Sequence, residues 1–381
     1  MRTMGKNFQL SCAWLSLVAS MGCVACGSDG TTDADSAGGS SSAGGGGSPG
    51  TADEPSGGSA TAGSAGKSAA GASSGGAGSG SGGSGSVGVP GNPGEVGGCK
   101  MFPANDDWNL DVSGLDVDAA WTQKVQALVG DANIHPDYGS DGDELYGIPI
   151  NVVPEDQPLT PVTFDWYPEE SDAGPYPFPG PDDVSIEGNS PASCDGDCHL
   201  LVVQQGTCML YEGYACEYSN GWHCGNGAKW DLNEVGYGQR PDGWTSADAA
   251  GLAIAPGVLR YAEVRAGEVT HALRFTLDCT TNKYVKPASH FAVPGGCNAA
   301  DGPPMGTRVR LKQSFDISRY SESAQVVLRG MKKYGMILAD NGSSFYFQGE
   351  ANAGWTEDDI EPLKNVPASA FEVVTMPPLM P

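Results

Sequence analysis

The composition of the chain changes completely at one point, and this change limits what can fold. Residues 27–98 are nearly all Gly, Ser, Ala and Thr, with occasional Pro and no aromatic side chain. Such a segment cannot bury enough apolar surface to offset the entropy lost on ordering, so we expect a disordered linker. About 72 residues of Gly-rich coil would reach roughly 45 Å. The remainder, residues 99–381, has no second composition break and predicts a single globular domain with a sizeable core.

The first 26 residues have the pattern of an export signal. Arg2 and Lys6 form a small basic region, and an apolar run of about fourteen residues follows, too short to span a bilayer as a helix. The run ends in CVAC at residues 23–26, which resembles a bacterial lipoprotein signal and implies lipidation of Cys26. Cleavage there leaves an even number of further cysteines, whereas cleavage before Cys23 leaves an odd thiol. A plain secretory signal is the alternative. We therefore expect an exported protein, lipid-anchored at the bacterial cell surface or outer membrane, with no other membrane contact.

The cysteines of the exported domain predict disulfides. Close spacing suggests three pairs and leaves a fourth, although other pairings stay open: Cys194 with Cys198, Cys208 with Cys216, Cys279 with Cys297, and Cys99 with Cys224. The alternative is a metal site built from residues 194, 198, 199, 223 and 224. Oxidation would compete with such a site outside the cell, and the spacing lacks the second close cysteine pair of a zinc site. We expect no metal and no cofactor.

The charge of the chain is strongly acidic and uneven. A formal net charge of -26 argues against DNA or RNA as a partner. Residues 99–239 contain three basic residues against about 25 acidic ones, whereas residues 240–333 contain thirteen against eight. We expect the two halves to pack together and partly neutralise each other. The alternative is a local basic cleft for an anionic substrate such as a uronate polymer.

The hydrophobic patterns predict an α+β, β-rich domain with a β-sandwich or jelly-roll core and a few packed helices. Asp116 is placed to cap a helix over residues 117–129, and Ser321 to cap a helix that stops at Gly335. Two strands are expected to form a hairpin whose turn is Asn341-Gly342. The strands expected from alternation and turn signals cover residues 147–153, 162–166, 199–204, 208–213, 269–277, 336–339 and 345–348.

Residues 240–290 hold the densest group of candidate functional side chains: Trp244, Ser246, Asp248, Glu263, His271, Arg274 and His290. Asp248 is placed to be either catalytic or a helix N-cap. Ser246 does not lie in a GxSxG elbow, which disfavours a serine hydrolase. His271 fits either a proton shuttle or a hydrogen-bonded core histidine.

Two further stretches add carboxylates. In the stretch WYPEESDAGPYPFP, Glu170 and its acidic neighbours lie close in sequence to Trp166. Sugar-binding sites combine aromatic rings, on which the sugar stacks, with carboxyl groups of raised pKa, so this stretch is a candidate sugar site. The other group consists of Asp197 and His199 together with Asp340 in a predicted turn. Both groups could equally be solvent-exposed loops and turns without a catalytic role. Calcium binding at residues 137–144 or 195–197 is an alternative that lacks the twelve-residue, helix-flanked pattern.

Short phrases spread over residues 103–349 form a specific set: PANDDWN, HPDYG, YGIPI, ESDAGPYP, GWTSADAAG, THALRFT, PPMG and ADNGS. As a set they resemble a widespread group of secreted, mostly uncharacterised bacterial and fungal proteins. The resemblance implies the domain limits and the choice of candidate residues, and it implies no activity. The group commonly has an arginine or similar residue where this chain has Cys198, and this chain carries extra cysteines as far as Cys224.

These features favour a surface-tethered, glycosidase-like hydrolase whose partner is a polysaccharide or another extracellular glycan. The residues predicted to be catalytic are Asp248, His271, Glu170 and Asp340. Those predicted to bind substrate are Trp244, Trp166, Arg274 and His199. One alternative is a non-catalytic carbohydrate-binding or adhesion lipoprotein. Another is a polyuronate lyase that uses Arg274, Arg308 and Arg310 to neutralise carboxylates.

Overall fold

The structure, a computed structural model, describes the C-terminal part of the chain. The described residues are 94–141, 144–188, 190–193, 196–294, 297–298, 300 and 302–381. The signal segment, Cys26, almost all of the linker, Cys194 and Asp195 lie outside these residues, so the expectations for them stay predictions. The first described element is a hairpin that begins at Glu95, so ordered backbone includes a few residues that composition assigns to the linker.

The strands of the described region are, in chain order, β1 (Glu95–Val96), β2 (Cys99–Lys100), β3 (His135–Asp137), β4 (Gly139–Asp141), β5 (Glu144–Tyr146), β6 (Ile150–Val153), β7 (Val162–Phe164), β8 (Leu200–Gln204), β9 (Met209–Tyr214), β10 (Glu217–Tyr218), β11 (Trp222–Cys224), β12 (Asn226–Asp231), β13 (Leu273–Leu277), β14 (Arg308–Leu311), β15 (Met336–Asn341), β16 (Tyr346–Gln348) and β17 (Phe371–Val373). The α-helices are α1 (Ala119–Val129), α2 (Tyr261–Ala266), α3 (Glu322–Lys333) and α4 (Glu357–Ile360). Short 3-10 helices cover Asp107–Asn109, Pro168–Glu170, Ala255–Gly257, Leu363–Asn365 and Ala368–Ala370.

Two mixed sheets form the body of the domain. The larger has the strand order β17-β14-β15-β13-β16-β3, and the smaller has the order β12-β9-β8-β6. This architecture confirms an α+β, β-rich single domain. The pairs β13 with β15, β3 with β16, and β6 with β8 are parallel, whereas jelly rolls are built from antiparallel strands. The core is therefore a pair of mixed sheets, and the jelly-roll suggestion is wrong.

Strand β8 lies at the centre of the packing because both of its faces are buried. Alternate side chains of a strand point to opposite faces, so Leu201 and Val203 join the main hydrophobic core while Leu200 and Val202 join a second, smaller one. All four side chains are fully buried. Burial of each is worth roughly 1.5–3 kcal/mol. The smaller core includes Trp222.

The two longer helices form where the sequence predicts them. Helix α3 is confirmed at both ends, since Ser321 accepts a backbone hydrogen bond in the first turn and Gly335 follows with φ +72°. Helix α1 begins two residues later than expected. Asp118, rather than Asp116, accepts the hydrogen bond that caps it.

The expected hairpin around Asn341-Gly342 is wrong, although both of its strands exist. Strand β15 pairs with β13 and β14, and strand β16 pairs with β13 and β3, so β13 lies between the two predicted partners. The backbone N–H groups of Gly342 and Phe345 donate to carbonyls of β13 residues instead of closing a two-strand turn. Parallel pairing with a strand about sixty residues earlier overrides the local turn signal.

The disulfides among the described residues are Cys99–Cys208, Cys216–Cys224 and Cys279–Cys297. The third confirms the prediction, and the predicted pairings of Cys208 with Cys216 and of Cys99 with Cys224 are wrong. Cys208 lies just before β9, where the N-terminal hairpin brings Cys99 to a Cα distance of 5.4 Å, although 109 residues separate the two in the sequence. Disulfides are compatible with an exported protein. In the described region, no helix is both long and apolar enough to cross a membrane.

Five arginines of the second half are buried within the fold: Arg240, Arg260, Arg274, Arg308 and Arg310. Arg308 donates to the backbone carbonyls of Asp107, Leu110 and Tyr334. Arg310 donates to carbonyls in residues 112–115 and to a carboxylate on β17. These guanidinium groups fasten the segment before α1 to the larger sheet. Because their donors are already engaged with protein acceptors, the structure gives no support to a substrate-binding role for Arg308 and Arg310 in a lyase.

Candidate active site

A pocket of about 230 Å³ opens at the end of strand β15. Two other pockets of the described region hold only about 20 and 10 Å³, too little for an organic ligand. The wall of the larger pocket includes Tyr167, Asp197, Tyr214, Ser246, His290 and Asp340. These residues come from six separate stretches of the chain, so only the folded domain assembles the site.

Asp340 reaches the pocket because β15 contains a bulge. Strands β13 and β15 run parallel, and their register shifts after Phe275 so that Thr276 faces Asp340 and not Ala339. An extra residue bends a strand and re-aims the side chain that follows. The carbonyl of Ala339 accepts a hydrogen bond from the N–H of Ala250. The bulge therefore also anchors the loop that supplies another part of the wall.

A buried guanidinium joins Asp340 to a second carboxyl group. Arg274 Nη2 donates to Asp248 Oδ1 at 2.9 Å and lies 3.5 Å from Asp340 Oδ2. Asp248 is fully buried, and its Oδ2 has no hydrogen-bond partner within the described region. An oxygen without a donor is costly to ionise in the interior. Burial accordingly raises the pKa of Asp248 to about 8, against the opposing effect of Arg274.

The ring of His199 is a second buried cation beside this pair. Its Nδ1 lies 2.6 Å from Glu187 Oε2, and its Nε2 lies 3.2 Å from the carbonyl oxygen of Ala247. A carboxylate and a carbonyl can only accept, so both ring nitrogens donate and the ring is an imidazolium. Burial alone would lower the pKa of His199, but Glu187 raises it to about 9.

The loop over residues 245–251 is fixed by its own hydrogen bonds. Ser246 Oγ lies 2.6 Å from the carbonyl oxygen of Leu252 and accepts the N–H of Asp248, so this hydroxyl is not available as a nucleophile. Gly251 has φ +69°, and a Cβ there would come within 2.0 Å of Ser289 Oγ. Only glycine fits this position. Asp248 itself lies in a turn and caps no helix.

His290 presents one ring nitrogen for chemistry in the pocket. Its backbone N–H donates to the carbonyl of Ala250, and its Nδ1 lies 2.8 Å from the carbonyl oxygen of Ala249. The carbonyl can only accept, so Nδ1 carries a hydrogen, and Nε2 is the ring nitrogen left for another partner. Parallel stacking on Phe291, with centroids 5.6 Å apart, fixes the ring. His290 can therefore form a hydrogen bond with a ligand through this nitrogen.

Two carboxyl groups of the wall differ in their surroundings. The side chain of Asp340 is 23% exposed. Burial raises its pKa, Arg274 and His199 oppose the rise, and Asp197 adds to it. Asp197 is exposed and forms no ion pair with any other described residue. A partly buried acid facing an exposed carboxylate is an arrangement that can supply both a proton donor and a base.

Aromatic rings border the same pocket. Tyr214 lies against His199, with ring centroids 5.7 Å apart, and meets Trp166 edge-on at 5.6 Å. The ring of Trp166 packs on the backbone of Gly225, while 59% of the residue remains exposed. Tyr167 follows it and lines the pocket. The rim thus offers exposed flat surfaces on which an apolar ligand face can stack.

The other residues that the sequence predicted for the site, Glu170, Trp244 and His271, contact neighbouring protein groups and do not line the pocket. Glu170 Oε2 accepts the N–H of Thr245 at 2.9 Å and so braces the loop from behind. Trp244 stacks with Arg240, whose guanidinium carbon lies 5.5 Å from the ring centroid. His271 is buried and bonds Glu263. Four of the predicted site residues therefore lie together, with Trp166 nearby at the rim: Asp340, Asp248, Arg274 and His199. Glu170, Trp244 and His271 have structural contacts instead.

Glu187 and Tyr214 were missed by sequence reasoning, whereas Tyr167 belongs to the predicted aromatic and acidic stretch but was not chosen as a site residue. Nothing in the local sequence marks Glu187, because its partner His199 is twelve residues away on another segment. Tyr214 is the last residue of β9, and the alternation of that strand does signal a side chain at a sheet edge. Across the part of the chain that the structure covers, no group of three or more His, Cys, Asp or Glu is arranged to hold a metal ion. The residues of the cysteine–histidine metal alternative have other partners, since Cys216 bonds Cys224 and His223 lies 3.1 Å from Asp165.

Comparison of the chain with family models, with curated proteins and with solved structures finds no match.

Proposed function

We propose that the protein is a carbohydrate-active hydrolase that acts on a glycan at the pocket beside β15. The observation that carries the proposal is the position of Asp340 and Asp197 in one pocket wall, next to the rings of Tyr167 and Tyr214. Sugars offer an apolar face for stacking and hydroxyl groups for hydrogen bonds, and their hydrolysis requires an acid and a base or nucleophile. This pocket supplies each of these elements.

Asp340 is the proton donor in this proposal. Burial raises its pKa, which favours the acid form that can give a proton to the glycosidic oxygen as the carbon–oxygen bond breaks. Asp197, which is exposed, takes a proton from the water that adds to the sugar carbon. Arg274 and His199 position Asp340 from behind the wall. Nε2 of His290 is placed to form a hydrogen bond with a sugar hydroxyl.

The volume of the pocket limits how much of a polymer it holds. Pockets for drug-sized ligands measure roughly 300–1,000 Å³, and this one measures about 230 Å³. It therefore fits one sugar ring and a part of the next, and the exposed face of Trp166 extends the contact surface beyond the pocket. The Gly-rich linker and a lipid on Cys26 would hold the domain at the cell surface or outer membrane, within reach of extracellular polysaccharide.

The test is release of new reducing ends from a panel of polysaccharides. The exported chain should hydrolyse at least one member, and Asp340→Asn should lower its rate by about 10²- to 10³-fold, because an amide cannot donate the proton. Asp358→Asn, which removes an exposed carboxylate on α4, is the matched control and should keep the rate. An unchanged rate in Asp340→Asn would refute the assignment. Binding of a glycan without release from any polysaccharide would favour the non-catalytic carbohydrate-binding alternative, for which the exposed Trp166 is sufficient.

A further inference from the structure

One nitrogen of Arg274 contacts two carboxyl groups. Its Nη2 lies 2.9 Å from Asp248 Oδ1 and 3.5 Å from Asp340 Oδ2. A hydrogen bond from nitrogen to oxygen normally spans roughly 2.7–3.2 Å, so the contact with Asp248 is an ordinary hydrogen bond and the contact with Asp340 is longer than one. The two carboxyl groups therefore compete for the same guanidinium nitrogen, and Asp248 holds it more closely.

Asp248 is held in place by its loop and does not itself reach the ligand. Its backbone N–H donates to Ser246 Oγ. Two residues later, the N–H of Ala250 donates to the carbonyl of Ala339 in β15, which ties the loop to the strand that carries the acid. The side chain of Asp248 is fully buried and is not part of the pocket wall. Any effect of Asp248 on the reaction therefore passes through Arg274.

Resting on the proposed function, in which Asp340 is the acid, we propose that Asp248 is a positioning residue: as a hydrogen-bond acceptor, it holds the guanidinium of Arg274 back from a close ion pair with Asp340. A close cation stabilises a carboxylate and so lowers the pKa of the acid. Burial raises the pKa of Asp340, and Arg274 already opposes this rise. A shorter contact would oppose it more strongly, so the hold of Asp248 on Arg274 favours the acid form of Asp340. This role differs from the catalytic one that the sequence predicted for Asp248.

Asp248 needs no charge for this role. Burial raises its pKa to about 8, so at pH 7 and below its main form is the neutral acid, whose carbonyl oxygen still accepts a hydrogen bond. The other titratable groups that interact with Asp340 or share its pocket wall come from separate elements and are unchanged by a substitution at Asp248: Arg274 on β13, Asp197 and His199 before β8, Tyr214 on β9, and His290.

The test compares Asp248→Ala, which removes the acceptor, with Asp248→Asn, whose amide oxygen keeps it. The titration of Asp340 in the exported chain is followed by the NMR chemical shift of its carboxyl carbon, identified as the signal that is absent from Asp340→Asn. In Asp248→Ala, Asp340 should titrate about one pH unit lower than in the unchanged chain, because Arg274 can then close on it. Asp248→Asn should restore the titration of the unchanged chain.

The pH profile of polysaccharide hydrolysis gives a second measurement. The rate should fall as the pH rises through the pKa of Asp340, because the acid then loses its proton, and in Asp248→Ala this fall should begin about one pH unit lower. Asp358→Asn, which removes an exposed carboxylate on α4, is the control and should leave both the titration and the profile unchanged.

The outcomes separate this inference from the proposed function. An unchanged titration of Asp340 in folded Asp248→Ala would overturn the inference. If Asp248→Ala does not fold, Asp248→Asn decides, since a titration equal to that of the unchanged chain supports the acceptor role and a lowered one overturns it. A panel in which no polysaccharide is hydrolysed would overturn the proposed function, whereas the carbon shift reports on Asp340 without any substrate.

Discussion

Two buried clusters of this domain use the same residue types and differ in their access to solvent. The closed cluster consists of Arg260, Glu263 and His271, whose side chains are at most 4% exposed. Glu263 accepts from both of the other residues. The pocket cluster consists of Glu187, Asp197, His199, Asp248, Arg274 and Asp340. It pairs histidine, arginine and carboxylates in the same way, but it ends at the pocket through Asp340 and Asp197.

The comparison shows that residue type alone does not distinguish a structural cluster from a reactive one. In the closed cluster both oxygens of Glu263 are bound by protein donors, and Arg260 and His271 lower its pKa to about 2 although burial alone would raise it. Such a carboxylate cannot donate a proton near neutral pH. In the pocket cluster burial raises the pKa of Asp248 and Asp340. The two clusters therefore differ in whether their carboxyl groups reach solvent and in whether every carboxyl oxygen has a hydrogen-bond donor.

The largest effect is expected from Glu263→Gln, which breaks the closed cluster. Removing the carboxylate that pairs with buried Arg260 and His271 should lower the free energy of unfolding by about 3–5 kcal/mol at pH 7, as measured by denaturant titration. The folded pKa of Glu263 is lowered from 4.5 to about 2, so its contribution is present above pH 4.5 and is lost as the pH falls through 2. The variant should lack this acid-dependent loss. Glu268→Gln, an exposed neighbour, should change stability by less than about 0.5 kcal/mol, and an equal response of the two variants would contradict the contrast.

A smaller effect of opposite pH dependence is expected from the pocket cluster. The folded pKa of His199 is raised from 6.5 to about 9, so its contribution is complete below pH 6.5 and is lost as the pH rises through 9. The difference corresponds to about 3 kcal/mol of unfolding free energy. Unfolding titrations at pH 6 and pH 9 should show this decline, and in His199→Gln the decline should be shallower by about that amount. A decline of the same size in His199→Gln would show that the imidazolium is not its source.

The smallest effect is expected at the rim, where Trp166 has no counterpart in the closed cluster. Trp166→Ala should weaken binding of a polymeric glycan by about three- to tenfold, because one aromatic stacking contact is worth roughly 0.5–1.5 kcal/mol. Binding of a single sugar ring inside the pocket should change less. Tyr237→Ala, another exposed aromatic residue, serves as the control in the same affinity measurement. If both variants bind the polymer equally well, the proposed contact surface does not extend over Trp166.

Local signals in the sequence predicted the elements of the fold better than their pairing. Helix α3 follows from Ser321, Gly335 and one apolar face, all within fifteen residues, and it forms as expected. The hairpin at Asn341-Gly342 failed because β13 enters between its strands from about sixty residues away. The pairing of Cys99 with Cys208 was missed for the same reason. Contacts of this kind depend on the sheet order, which no local pattern encodes.

For the candidate site as well, the sequence indicated individual residues better than it indicated which of them come together. Asp340, Arg274 and His199 could be chosen from residue type, since ionisable residues beside or within strongly apolar strands are unusual. Their grouping could not be predicted, because a strand bulge aims Asp340 and because Glu187 lies twelve residues from His199 in the sequence. His271 looked equivalent to His199 in the sequence. Only the folded structure, in which Glu263 of α2 bonds His271 just before β13, shows that His271 belongs to the closed cluster.

The disulfide between Cys279 and Cys297 has a consequence for when the site becomes competent. The bond closes a loop that carries His290 and Ala292, both of which line the pocket. A disulfide that closes a loop of about eighteen residues raises the free energy of the unfolded state by roughly 3 kcal/mol, and so stabilises the folded loop. Newly synthesised chains with free thiols would have this part of the wall less firmly held. Under the proposed function, the pocket would therefore be fully assembled only once Cys279 and Cys297 are oxidised, as happens in an oxidising compartment.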